Sequence, residues 1–427
     1  MEAAVNLDRV KVDQDELVEL ALQLGNIDSP TGDELPAAEF VYEWLSTNGF
    51  KTKKIGMFED RYNVLGTLPG NHTGYSLIFN SHLDTGKHWN DQWSLRNGAD
   101  PLFHSAWREG DLLYGEGVVN DKGPMAAFLM AAKAIKESGI DLKGDLLVSA
   151  VAGEIGTEPV DEFSSPRYLS KEVGARYLIQ HGGVADFALV AEGTNFTAAW
   201  IEAGKAFFKI TVHGEDQYYT PFTPDAEVDA SHPNAIIRAA VLTLKLQEWG
   251  RSYQERFTYE SPGGKVVPKV TVGAVRGGNP YHVTRTSELC SVYLDVRTIP
   301  DQDPLMIRRE LHQVMAEAGI PGEVDLFLYR RSYIAEDPGL VLEGLKTAHQ
   351  AVIGEEMGFP DIPFTSMWRD VAIFNEMGIP AVTYGPGVAT GGKLAMRIED
   401  LHKAARVYAG LALEVCMKEK PSVQHPS

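Results

Sequence analysis

Apolar residues recur at helical spacing along Asp13–Leu24 and Asp33–Leu45, the second with Pro36 near its start, so both stretches are predicted as amphipathic helices. Tyr62–Leu68 and Tyr75–Asn80 are short β-rich runs bounded by glycine and asparagine and are predicted strands. The second delivers Ser81-His82-Leu83-Asp84-Thr85 at its C-terminal end. A helix over Met125–Ser138, a strand over Asp145–Val151, a helix over Lys171–His181 and a strand over Asp186–Ala191 follow. This alternation predicts an α/β fold with a mainly parallel mixed sheet flanked by helices. Near Gly204 the texture changes: strands Ala206–Val212, Leu289–Val296 and Val324–Leu328 enclose helices Asn234–Leu246 and Pro304–Ala318. That pattern is expected of a separate α+β module inserted into the first domain. The chain then returns through Phe374 and the strand Ala381–Tyr384 to a last helix, Asp400–Met417.

A chain of 427 residues is too long for one ordinary core, which agrees with two domains. The 39 basic and 59 acidic residues give a net charge of −20, which argues against a nucleic acid or an anionic membrane as partner. With only Cys290 and Cys416, neither a disulfide framework nor a cysteine-rich zinc site is available, and a cytoplasmic location is expected. The apolar run Met125–Ala132 stops at Lys133, far short of a membrane span, and Pro421–Ser427 reads as a frayed tail.

Candidate chemistry gathers at the predicted strand ends. Tyr114-Gly-Glu-Gly-Val-Val-Asn-Asp-Lys-Gly-Pro124 carries the polar pair Asn120–Asp121 from a glycine-rich turn into a helix, at the mouth of the sheet where ligands of open α/β folds bind. His82-x-Asp84 offers an imidazole and a carboxylate to orient it. Glu154 follows one buried strand and Glu192 another, and a glutamate there is uncommon unless it is paired or ligating.

In order along the chain these motifs resemble the aminoacylase, carnosinase and succinyl-diaminopimelate desuccinylase family of metal-dependent C–N hydrolases. The resemblance implies a catalytic domain of residues 1–203 and 332–427 and an inserted lid and dimerisation domain of residues 204–331. It implies a metal site of His82, Asn120 and Glu192, with Asp84 counted among the catalytic residues because it orients the substrate site or the catalytic carboxylate, a cis Asn120–Asp121 peptide, and Asp121 turned away from the metal. It also implies a small-molecule substrate and a homo-oligomer built on lid-domain dimers.

The departures from the family pattern carry the functional reading. The family's bridging aspartate is Asn120 here, and Gly153 stands where its general base precedes Glu154. Thr390 takes the place of a histidine after Gly385-Pro386-Gly387, and Tyr218 that of the lid histidine. Two dications about 4 Å apart repel by on the order of 20 kcal/mol at an effective dielectric near 20, and neutral Asn120 and Thr390 do not offset that. One divalent transition metal per chain is therefore expected. An asparagine oxygen favours Mn2+, with Zn2+ or Co2+ as alternatives.

Glu154, freed from holding a second ion, is the expected catalytic carboxylate. The altered site favours a substrate that holds its own negative charge, such as an electron-poor aromatic amine acid; overall resemblance to reworked members of the family implies 5-nitroanthranilate, deaminated to 5-nitrosalicylate and ammonia. Arg285 or Arg369 would bind its carboxylate, and Tyr218 and Thr390 would contact it. Trp89, Trp93, Phe103 and Trp107 crowd the preceding loop, where ordinary packing competes with a stacking role. His213 and His282 are candidates for entering the site. Alternatives are an N-acyl-amino-acid or dipeptide hydrolase, including a two-metal one bridged by Asp121, and a non-catalytic binding relative.

Overall fold

The computed structural model describes residues 7–86, 100–156, 158–218, 220–222, 225–335, 337–389 and 394–421. Trp89, Trp93 and Thr390 lie outside the described residues, as does most of the expected tail. The chain divides into two compact units, Met1–Trp200 with Ala335–Pro360 and Arg369–Ser427, and Ile201–Ile334 with Asp361–Trp368.

The first unit opens with helices α1 (Gln14–Gly25) and α2 (Leu35–Thr47) and strands β1 (Lys51–Phe58), β2 (Arg61–Leu68) and β3 (Leu77–His82). Helix α3 (Gly123–Glu137), strand β4 (Leu146–Val151), the short helix α4 (Ala175–Gln180) and strand β5 (Phe187–Ala191) follow. Asp13 caps α1 by accepting from the Glu16 N–H. Helix α4 is shorter than the expected Lys171–His181: Ser170–Gly174 is a largely buried turn, in which the Val173 N–H donates to the Ser170 carbonyl at 2.9 Å. The difference places Lys171 before the helix and on the interior, at 1% exposure.

The second unit contains β6 (Gly204–His213), α5 (Ala235–Phe257), β7 (Val270–Gly277), β8 (Leu289–Thr298), α6 (Pro304–Ala318) and β9 (Gly322–Arg330). These four strands form one antiparallel sheet in the order β7-β8-β6-β9. Phe208, Ile210, Val292, Leu294, Ile307 and Leu311 are buried between that sheet and its helices. Residues 361–368 join this unit because the Ala203 N–H donates to the Thr365 carbonyl at 3.1 Å and the Val267 N–H to Ser366 Oγ at 2.9 Å.

The chain returns to the first unit with α7 (Gly339–Ile353), α8 (Val371–Glu376), β10 (Ala381–Tyr384) and α9 (Ile398–Cys416). The six-stranded sheet runs β1-β2-β4-β3-β5-β10. Neighbours among β4, β3, β5 and β10 are parallel, and β1 and β2 close one edge antiparallel. This is the mixed α/β sheet expected. Strand β3 is buried along its whole length, and Phe79 packs against Phe128 of α3 and Tyr408 of α9. Helix α3 is buried over Met125–Ala132, as befits an apolar helix beneath a second layer. Because the parallel strands share one direction, the segments after β3, β4, β5 and β10 emerge at the same edge. No helix among the described residues is long and apolar enough to cross a membrane.

Candidate metal centre

His82 is the last residue of β3 and is fully buried. Its Nδ1 lies 2.9 Å from the Asp84 carbonyl and 3.4 Å from Asp84 Oδ1, and its Nε2 lies 3.1 Å from Asn120 Oδ1. One nitrogen is thus engaged by the chain that follows the strand, and the other faces the turn before α3. That turn, Val118–Lys122, breaks helical geometry at Asn120 and Asp121, and their peptide bond is cis, as expected.

Asp121 does not turn away from the centre. Its carboxylate, the His82 imidazole and the Glu192 carboxylate bring one ligand atom each within 4.8 Å of one another, all three residues buried. Ser81 Oγ donates to Asp121 Oδ2 at 2.8 Å, whereas Oδ1 is buried with no hydrogen-bond partner among the described residues. The turn therefore presents two oxygen donors: the Asn120 amide beside His82, and the Asp121 carboxylate.

The electrostatics show what this arrangement could hold. Burial, then the charge of Glu192, pushes the Asp121 carboxyl well above the usual carboxylate range. Burial likewise raises Glu192, against the opposing pull of Arg369, whose Nε is 3.5 Å from Glu192 Oε2. Burial works to lower His82, but the carboxylates around it, Asp84 first, hold it well above an ordinary imidazole. A buried excess of negative charge, with one orphaned carboxylate oxygen and oxygen and nitrogen donors converging, is what a divalent transition ion offsets. The residues fit such an ion.

Glu154 lies outside that trio. Its Oε2 is 4.0 Å from His82 Nε2, and its Oε1 accepts from Lys171 Nζ. The same ammonium donates to Asp370 Oδ1 at 3.2 Å. Asp84 accepts from the Glu154 N–H at 2.9 Å, the Ile155 N–H at 3.0 Å and the Thr31 hydroxyl at 2.7 Å. Its carboxylate is thus engaged by His82 on one side and by Thr31 and the start of the Glu154 loop on the other. Despite burial, His82 first, and then Thr31 and the Glu154 N–H, hold its carboxyl below the usual range.

Gly153 has φ +68°, and a Cβ placed there would stand 2.7 Å from Arg61 Nη2 and 2.9 Å from Ser170 Cα. The position is closed to a side chain, so the family's base is not a one-residue change away. Gly153→Glu is expected to destabilise the chain by at least about 1–3 kcal/mol through the left-handed backbone alone, and to bring no gain in turnover. A thermal melt and a rate assay check both.

The remaining expected site residues are distributed as follows. Arg369 sits beside Glu192, next to the centre. Arg285 and Tyr218 belong to the second unit, where they meet each other: the guanidinium pairs with Asp216 at 2.6 Å and lies 5.1 Å over the Tyr218 ring. His213, half exposed and 4.0 Å from Glu323, and exposed His282 are in that unit too. Lys171 and the orphaned oxygen of Asp121 went unrecognised in the sequence. Lys171 lies in no motif, and only its place between the strands that carry Glu154 and Glu192 marks it.

The chain is 26% identical over 442 residues to N-formyl-4-amino-5-aminomethyl-2-methylpyrimidine deformylase of Bacillus subtilis, covering 95% of this chain and 92% of that one. In fold it resembles the M20 family metallo-carboxypeptidase of Sulfolobus solfataricus, with a TM-score of 0.68 at 17% identity over 94% of this chain and 99% of that one. It also resembles the YXEP protein of Bacillus subtilis, a dinuclear metal binding peptidase, with a TM-score of 0.62 at 15% identity over 94% and 98%. The model of peptidase family M20/M25/M40 matches residues 78–414. Because that span runs from the strand carrying His82 into the last helix, the chain belongs to peptidase family M20/M25/M40 and, as a member of it, is a metal-dependent hydrolase.

Proposed function

We propose that this chain hydrolyses an amide-type C–N bond in a small molecule, with one divalent ion per chain and Glu154 as the proton acceptor. The observation that carries the reading is the buried trio His82, Asp121 and Glu192, with Asp121 Oδ1 unpartnered, beside a carboxylate that is not part of it. His82, Glu192 and the Asn120–Asp121 pair would hold the ion. When bound, such an ion supplies a Lewis acid for the acyl oxygen and favours ionisation of water. The mixed oxygen and nitrogen donor set suits Mn2+ as well as Zn2+.

The chain's own residues supply the rest. Glu154 has one oxygen held by Lys171 and the other directed towards His82, so it takes a proton from the attacking water and returns it to the leaving nitrogen. Asp84 holds both His82 and the Glu154 backbone, fixing the distance between the two groups. The deformylase similarity along nearly the whole chain supports a small acyl group, formyl or a short homologue, on an amine.

A second reading, hydrolytic deamination of an electron-poor aromatic amine acid such as 5-nitroanthranilate, is favoured by closed Gly153 and neutral Asn120. It draws no support from the relatives named above. One panel separates the two: N-formyl and N-acetyl amines, N-acyl amino acids, dipeptides and 5-nitroanthranilate, each with Mn2+. Amide cleavage is expected, abolished by a chelator and restored by added Mn2+. Ammonia release from the aryl amine with every amide left intact would establish the second reading instead.

A further inference from the structure

Lys171 is among the largest fully buried side chains of the protein, at 1% exposure. Its ammonium bridges Glu154 Oε1 and Asp370 Oδ1. Asp370 is itself anchored: its Oδ2 accepts from Asn80 Nδ2 at 3.0 Å, and Asn80 Oδ1 accepts from the Ser149 hydroxyl at 2.8 Å. Asn80 and Ser149 lie on adjacent central strands, β3 and β4, so the ammonium is held in a rigid frame. Burial acts to lower the Lys171 pKa, but Glu154 and Asp370 outweigh it and the net direction is upward. Asp370 is raised, by burial first. The two directions agree once the charges are counted: one ammonium is shared by two carboxylates, beside two more at Asp121 and Glu192.

We infer that Lys171 is a built-in cation that occupies the place of a second metal ion beside Glu154, so that the chain carries one ion, and that it positions Glu154 for proton transfer. The inference rests on the reading that His82, Asp121 and Glu192 hold the first ion. An ammonium suits the place. It donates to both carboxylates without presenting an open coordination position, and it cannot be lost to a chelator. Its contact with Glu154 Oε1 leaves Oε2 facing His82, which fixes which oxygen receives the proton. Another cation could enter only by driving a charged side chain out of a place closed to solvent.

The test counts ions. Wild-type protein loaded with excess Mn2+ and then desalted should carry one ion per chain. Two ions with Lys171 intact would overturn the inference, whatever the protein hydrolyses. Lys171→Ala, which leaves room where the ammonium stood, should lower kcat about 10- to 100-fold with little change in KM, as losing a group that orients a reacting one does. Either methylammonium chloride or a second Mn2+ ion should then restore part of the rate and of the melting temperature. No rescue by either cation, or an unchanged kcat, would also overturn it. Should that variant fail to fold, Lys171→Met combined with Glu154→Gln removes both charges, and the wild-type count decides alone. One ion per chain with no amide turned over would sink the proposed reaction and leave the role of Lys171 standing.

Discussion

Replacing Glu154 by glutamine should abolish turnover while leaving the metal in place. Glu154 stands apart from the trio that would hold the ion, and its Oε2 reaches to within 4.0 Å of His82 Nε2. An amide in its place keeps the shape but cannot accept a proton. The loss expected for removing a positioned general base is about 10²- to 10⁴-fold in kcat. Gly153 offers no side chain and no space for one, so the adjacent position where the family carries its base does not substitute. Metal analysis of the same sample should match wild type. A glutamine variant that keeps most of its rate would remove Glu154 from the reaction, whereas one that loses its ion would place Glu154 among the ligands.

Arg61→Met should cost about 3–5 kcal/mol of stability, the range for breaking a buried ion pair from one side. Arg61 is 2% exposed and holds Glu34, which is fully buried, through two bonds of 2.7 Å. Its other amino group donates to the carbonyls of Arg167 and Leu169. Truncation therefore strands a carboxylate that burial already raises above its ordinary range. It also frees the segment before Lys171 and opens the wall against which Gly153 packs. Turnover should fall with stability even though Arg61 touches none of the trio. Replacing Glu34 by leucine in the same chain should recover most of the stability, because both charges then leave the interior. Chemical denaturation of both variants provides the measurement, and equal stability in the single and double variants would contradict the assignment.

The strand ends were legible because they combine two local signals, a short β-rich run and an ionisable residue at its end or within three residues of it. His82, Glu154 and Glu192 all stand where that pattern puts them. Helix α6 runs over Pro304–Ala318 as predicted, since Asp303 caps its start by accepting from the Leu305 N–H and Gly319, at φ +69°, ends it. Strand β1 was not legible. Lys51–Phe58 is mostly exposed at the sheet edge and lacks the alternation that marks a half-buried strand, so only its pairing with β2 makes it one. Strand β7, the edge of the second sheet, escaped for the same reason.

By itself the sequence determined the α/β class and marked residues that could carry chemistry, because periodicity, caps and strand-end carboxylates are properties of neighbours along the chain. Tertiary structure decided how those residues divide the work. Whether Asp121 faces the centre depends on the path of the turn around His82, and whether Gly153 has room depends on Arg61 and Ser170, which are remote in sequence. The charge of the site depends on Lys171, which sits in a helix-like stretch of sequence but folds inward ahead of the helix to reach Glu154 and Asp370. Coulomb energy acts through distance in space, and in a buried site the nearest opposite charge sets the chemistry wherever it lies in the chain.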